Sequence, residues 1–264
     1  MRISKSATWI LGLISSIVMA AIYAPLAIVV VNSMNSSMNM AWPPPGFTLN
    51  WWQKAFGSSG LIAALGTSVL VALCASLIAI VLGTLLAIAL SRYKFFGKES
   101  VGLMVILPIA LPGIVTGLAL SNTFRTVLGM QLSMATIIIA HATFCIVTVY
   151  NNVMARLSRT NRNLEDASAD LGAGVFTTFR LVTLPQIGSA LVAGGLLAFA
   201  LSFDEIIVTT FTAGAGVETL PIWILNNMFR PGKAPVVDVV AVTTVLISVV
   251  PLYFAQRLTR DESK

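Results

Sequence analysis

Six long apolar runs, separated by shorter polar stretches, organise this chain. They cover about residues 7–31, 61–91, 101–121, 134–154, 186–211 and 236–256. Each is long enough to cross a hydrocarbon core of about 30 Å as a helix, which takes about 20 residues. Arg2 and Lys5 precede the first run, as they would in a targeting signal. That run far exceeds the ~7–15 residues of a cleavable apolar segment, so it reads as a retained first helix. Pro43, Pro44 and Pro45 stiffen the connection after it and exclude a helix there. Between the fourth and fifth runs lies one long polar connection, about Ala155 to Pro185. Long ordered loops are usually functional.

Composition agrees with the pattern. Hydrophobic residues make up 57% of the chain and charged residues 10%, with a mean hydropathy of +0.90. A soluble chain this apolar would have too few charges to cover its surface, whereas lipid-facing helices must be apolar. The net charge of +6 follows membrane topology and does not point to nucleic acid. With six spans and a cytoplasmic N-terminus, the inner side holds Arg2, Lys5, Arg92, Lys94, Lys98, Arg156, Arg159, Arg162, Arg180, Arg257, Arg260 and Lys264. That is 12 of the 16 basic residues. Only Lys54, Arg125, Arg230 and Lys233 fall outside, as the positive-inside rule requires. Trp42, Trp51 and Trp52 then lie in the first outer loop, where interfacial aromatics are expected. Cys74 and Cys145 sit within apolar runs and read as unpaired packing thiols. The expected fold is an all-α polytopic membrane protein of six transmembrane helices with both termini cytoplasmic. Residues 1–60 form the first helix and outer loop, 61–256 the core with the inner loop 155–185, and 257–264 a cytoplasmic tail.

The inner loop carries a distinct local chemistry. Asn163 is a suitable N-cap, and Glu165, Asp166 and Asp170 follow it. Early acids favour a helix macrodipole, and Gly172 supplies a left-handed residue to end a short helix. A second helical stretch starts near Val175, and Pro185 stands where the next span begins. The sequence thus predicts a short surface helix, a glycine turn and re-entry into the membrane.

The spacing Asp166-Ala167-Ser168, Gly172, Val182, Leu184-Pro185 resembles the EAA loop of bacterial ATP-binding-cassette importer permeases. Asp166 stands where the family usually carries Glu, with Glu165 before it. The resemblance extends over about 61–256 and implies the type I importer permease fold. It implies a coupling helix, here Glu165, Asp166, Ala167, Ser168, Gly172 and Ala173, docked on a cytoplasmic ATPase. It also implies a second permease, with a heterodimer expected, two ATPase subunits, a periplasmic solute-binding protein and a bacterial inner membrane. The chain carries no phosphate-binding glycine loop with Lys. It is therefore expected to be a non-catalytic transport subunit without cofactor or metal, ATP and Mg²⁺ being used by the ATPase partners.

Asp204 and Glu205 interrupt the fifth run. Intramembrane acids usually face a bundle interior or a water-filled path. Three readings stand open: a cation-attracting site in the translocation path, a structural pair or cap, and the solvated outer end of a helix. Phe203, Phe211 and Trp223 offer aromatic faces for an ammonium group, or serve as packing residues. His141 is either a proton relay or, preferably, a buried hydrogen-bonding residue. Asn226 and Asn227 are candidates for the outer vestibule. Residues 196–211, together with Leu111-Pro112-Gly113-Ile114-Val115 and His141-Ala142-Thr143-Phe144, look most like the spermidine/putrescine permease group. That resemblance implies an organic polycation as the substrate, with Fe³⁺ or thiamine as alternatives within the wider family. A proton-coupled secondary transporter, the rival class, would need ionisable groups deep in several spans.

Overall fold

The computed structural model describes residues 4–261; Arg2, Lys264 and the last residues of the tail, 262–264, lie outside the described residues. Helices account for the regular structure, in the order α1 (Lys5–Asn32), α2 (Asn50–Phe56), α3 (Ser59–Arg92), α4 (Lys98–Ala110), α5 (Gly113–Asn122), α6 (Met134–Leu157), α7 (Asn163–Asp170), α8 (Val175–Thr178), α9 (Leu184–Phe203), α10 (Ile207–Thr212), α11 (Leu220–Met228) and α12 (Ala234–Asp261). π-Helical turns extend α5 over Thr123–Val127 and join α8 to α9 over Phe179–Thr183.

Four helical stretches among the described residues are long and apolar enough to cross a membrane: Ala7–Asn32, Ser59–Arg92, Met134–Leu157 and Val175–Phe203. The third expected span is not one straight helix. Its two halves, Lys98–Ala110 and Gly113–Val127, meet at 108°. The cause is Pro112: Leu111 before it is extended (φ −84°, ψ 143°), as a residue preceding proline is biased to be. The fifth run is likewise broken, because α9 stops at Phe203 and α10 begins only at Ile207. The sixth run falls on α12, which is 28 residues long.

The chain divides into two compact units. The first contains α1, the segment to residue 61 and residues 224–247. No helix forms at Pro43–Pro45, as expected. Asn35 organises this loop although its side chain is fully buried. Its Nδ2 donates to the Ala41 carbonyl at 3.0 Å, and its Oδ1 accepts from the Ser37 amide at 2.9 Å. Trp51 serves as an anchor for this loop: its Nε1 donates to the Asn35 carbonyl at 2.8 Å, and the ring is buried. Trp42 remains exposed.

The second unit contains residues 62–223. Its core is built largely from small side chains, among them Ala75, Ala79, Ala140, Cys145 and Ala198. Without a hydrophobic driving force between helices in lipid, close backbone approach is what holds such a bundle. Gly83 shows the result. A Cβ added there would sit 2.8 Å from the Ile146 carbonyl oxygen, so α3 and α6 meet backbone to backbone. Packing of α6 on α9 and of α5 on α10 completes the unit.

Candidate functional site

Two places hold most of the residues singled out by the sequence, the hairpin between α6 and α9 and the break between α9 and α10, whereas Trp223, Asn226 and Asn227 lie on α11. In the hairpin, α7 starts one residue differently from expectation. Arg162 occupies the N-cap position, and the Asx contact comes from Asn161, whose Oδ1 accepts from the Asn163 amide at 3.0 Å. Asn163 is itself the first helical residue, so it is not the cap. The C-terminus follows the expected design. Gly172 is left-handed (φ +84°). The Ala173 amide donates to the Ser168 carbonyl at 3.1 Å and the Gly172 amide to the Ala169 carbonyl at 2.9 Å, the paired bonds of a Schellman motif.

The side chains of α7 point to several partners. Glu165 turns toward the membrane helices, where its Oε2 lies 2.9 Å from Arg92 Nε at the end of α3. Arg92 Nη2 and the Thr183 hydroxyl both donate to Glu165 Oε1 at 3.0 Å. A cleft of about 270 Å³ opens beside this junction, lined by Tyr93, Arg162, Ala169 and Phe179 among others. The Ser168 and Thr178 hydroxyls share a hydrogen bond of 3.0 Å that braces α7 against α8. Asp166 points out, in a loose 3.8 Å pair with Arg162 whose members are 64% and 59% exposed. Ala167 is exposed and Ala173 half-buried. The hairpin also displays apolar residues that reading by motif passed over: Leu171 is 89%, Val175 80% and Phe176 75% exposed. Their signal was available, as large apolar residues flanking a glycine turn in a polar loop.

At the second place the acidic pair is not inside a continuous helix. Asp204 is the exposed C-cap of α9; its amide donates to the Ala200 carbonyl at 3.2 Å, and its carboxylate has no ion-pair or hydrogen-bond partner among the described residues. Glu205 is half-buried and caps the next helix: its Oε1 accepts from the Val208 amide at 2.8 Å. The two acids thus divide the open readings. Glu205 makes a structural cap, and Asp204 presents a free carboxylate. Phe203 stacks on Phe199 one turn back, at 5.9 Å between centroids. Phe211 packs against Gly117 of α5, and Trp223 is buried.

His141 spans the break from α6. It is fully buried; Nδ1 lies 2.7 Å from Ser202 Oγ on α9 and Nε2 2.9 Å from Thr209 Oγ1 on α10. The Thr209 hydroxyl donates its single proton to the Glu205 carbonyl at 2.8 Å. It must therefore accept from Nε2–H, which leaves Nδ1 to accept from Ser202. The ring is a hydrogen-bonding strut, the preferred sequence expectation. One further acid escaped the sequence reading. Asp238 lies in the Val-rich start of α12, with Oδ2 buried and no hydrogen-bond partner among the described residues.

Comparison with known proteins places these features. The family described as "Binding-protein-dependent transport system inner membrane component" matches residues 79–263. A spermidine/putrescine transport system permease protein, PotC, of Haemophilus influenzae is 34% identical over 94% of this chain and 95% of its own length. The PotC of Escherichia coli K12 is 35% identical over 93% of this chain and 92% of its own. The putrescine transport system permease protein PotI of the same strain is 34% identical over 83% and 80%. Among solved structures, a bacterial ABC transporter involved in alginate import aligns with a TM-score of 0.76 at 15% identity, covering 97% of this chain and 99% of that one. The inward-facing MetNI methionine transporter aligns at 0.59 with 16% identity, over 77% and 98%. At that identity these two speak for the fold alone, which is that of a type I importer permease.

Proposed function

Because the chain belongs to the family of binding-protein-dependent transport system inner membrane components, we propose that it is the permease subunit of an ATP-driven importer for spermidine or putrescine. The observation that carries this reading is the extent of its likeness to polyamine permeases, which runs over more than nine-tenths of the chain. The chain itself performs no chemistry. It pairs with a second permease in a bacterial inner membrane, receives solute from a periplasmic binding protein and is driven by two ATPase subunits that hydrolyse ATP with Mg²⁺. Both termini lie in the cytoplasm.

The α7–α8 hairpin is the ATPase-docking element. Asp166, Ala167, Gly172 and Ala173 form or support its exposed surface, and Leu171, Val175 and Phe176 supply an apolar patch for the ATPase cleft. Asp204, beside Phe203 and Glu205, faces the solute path. An exposed carboxylate–ammonium pair contributes about 0–1 kcal/mol, but a hydrogen bond to a charged group in a partly desolvated path contributes about 1.5–3 kcal/mol. Asp204→Asn keeps shape and removes charge, so polyamine uptake by proteoliposomes holding the whole complex should fall about tenfold or more. Offering polyamines, Fe³⁺, thiamine and anionic solutes in turn identifies the substrate class. Wild-type uptake by Asp204→Asn would remove this residue from the path, and a preference for an anionic solute would overturn the cation reading.

A further inference from the structure

The exposed hairpin poses a mechanical question, because α7 buries no side chain. No apolar core holds it, so a push from an ATPase would turn it on its two chain connections unless polar contacts transmit the force. Beside the Ser168–Thr178 brace within the hairpin itself, Glu165 reaches out of it, to Arg92 and Thr183. We propose that the Glu165–Arg92–Thr183 junction is the link by which the coupling helix moves α3 and the start of α9 together. Glu165 is a positioning residue in this role, and not a docking contact. The proposal rests on the reading of α7 as the coupling helix and assigns to one of its residues a separate task.

Three features support it. Glu165 and Arg92 are 16% and 13% exposed, whereas the neighbouring Arg162–Asp166 pair is largely in solvent. The junction joins residues 73 and 18 positions apart in sequence, so it ties three elements that the chain alone leaves independent. Its geometry is also convergent. Two donors meet on Oε1 at 3.0 Å, while Arg92 Nε approaches Oε2 at 2.9 Å without the alignment of a hydrogen bond. A carboxylate gripped by a planar guanidinium and a hydroxyl resists rotation as a single point charge does not.

The test uses the whole complex, with both permeases, the ATPase subunits and the binding protein, in proteoliposomes. Glu165→Gln and Arg92→Gln should retain the ATPase subunits yet move about tenfold less putrescine per ATP hydrolysed, within the usual range of coupling between sites. The exchange Glu165→Arg with Arg92→Glu should recover transport per ATP to within about threefold of wild type, as a direct pair interaction demands. Unchanged transport per ATP in the single variants would overturn the proposal. Retention of the ATPase subunits reports on docking, and solute moved per ATP at full assembly reports on the junction, so the two readings fail separately. Should the single variants not assemble, spin labels at Leu164→Cys and Lys94→Cys, with Cys74→Ser and Cys145→Ser, decide the matter in an intact junction. Their separation should change by less than about 2 Å between nucleotide-free and ATP-trapped complexes, and a slip of a helical turn, about 5.4 Å, would overturn it.

Discussion

Replacing His141 by alanine tests the architecture of the broken fifth span directly. The ring is fully buried and makes two hydrogen bonds, to Ser202 on one side of the break and Thr209 on the other. It also contacts the Phe144 ring at 5.4 Å between centroids. Removing it leaves the Ser202 proton and one Thr209 lone pair without a partner. Two ordinary hydrogen bonds would give a loss of about 1–3 kcal/mol. Hydrogen bonds between helices in a membrane protein average about 0.6 kcal/mol, which sets the lower figure near 1 kcal/mol. A lost ring also leaves a void, which moves the total upward. We expect a destabilisation of about 2 kcal/mol, with reduced transport, because the ends that hold Asp204 and Glu205 lose their common strut. Thermal unfolding of the detergent-solubilised complex measures the first effect, and proteoliposome uptake the second. A double-mutant cycle with Ser202→Ala isolates the bond and should give a coupling of about 0.5 kcal/mol or more. Additive losses, or a His141→Ala complex as stable as wild type, would refute the strut.

Two further outcomes follow from the hairpin. Gly172→Val meets no atom within 4 Å of the new Cβ, yet it places a β-branched residue at φ +84°. The expected cost is about 1–3 kcal/mol of backbone strain with no clash, seen as lost binding-protein-stimulated ATP hydrolysis at normal membrane insertion; full stimulation would contradict the role of the turn. A single cysteine at Ser168, with Cys74 and Cys145 replaced, should resist an impermeant thiol reagent in intact cells and react in inverted vesicles; labelling in intact cells would reverse the proposed orientation.

Run length and local capping made most of the fold legible. Long apolar runs have few alternatives to membrane helices, and the Asp166–Gly172–Pro185 spacing located the hairpin. The two broken spans were harder to read, although both left marks. Leu111-Pro112 carried a helix-stopping signal within a run whose hydrophobicity argued for continuity. At Asp204-Glu205 the carboxylates were recognised as costly and a cap was one of three open readings, but nothing local told which of the two acids would make it. Glu205 became a cap because α10 starts two residues later and the Val208 amide in its first turn needs an acceptor. Partner choice lay further out of reach. Glu165 meets Arg92 across 73 positions, so no local pattern told its inward carboxylate from the outward one of Asp166. Leu171 and Phe176 differ in this respect, because their place beside a glycine turn in a polar loop marked them in the sequence.

The two candidate places stand at opposite ends of one rod. α9 follows directly on Thr183, in the junction with Glu165, and stops at Phe203, next to Asp204. Its 20 residues give a length of about 30 Å at 1.5 Å per residue. Treated as a stiff lever pivoting at its inner end, it displaces its outer tip by about 5 Å for a tilt of about 10°, the reach of roughly one helical turn. A lateral step of that size exceeds the length of a carboxylate–ammonium contact. On the proposed reading of Asp204 as the carboxylate that holds the solute, a small angular input at the Thr183 end of α9 would carry a bound amine out of its reach, with no change in the chemistry of either group.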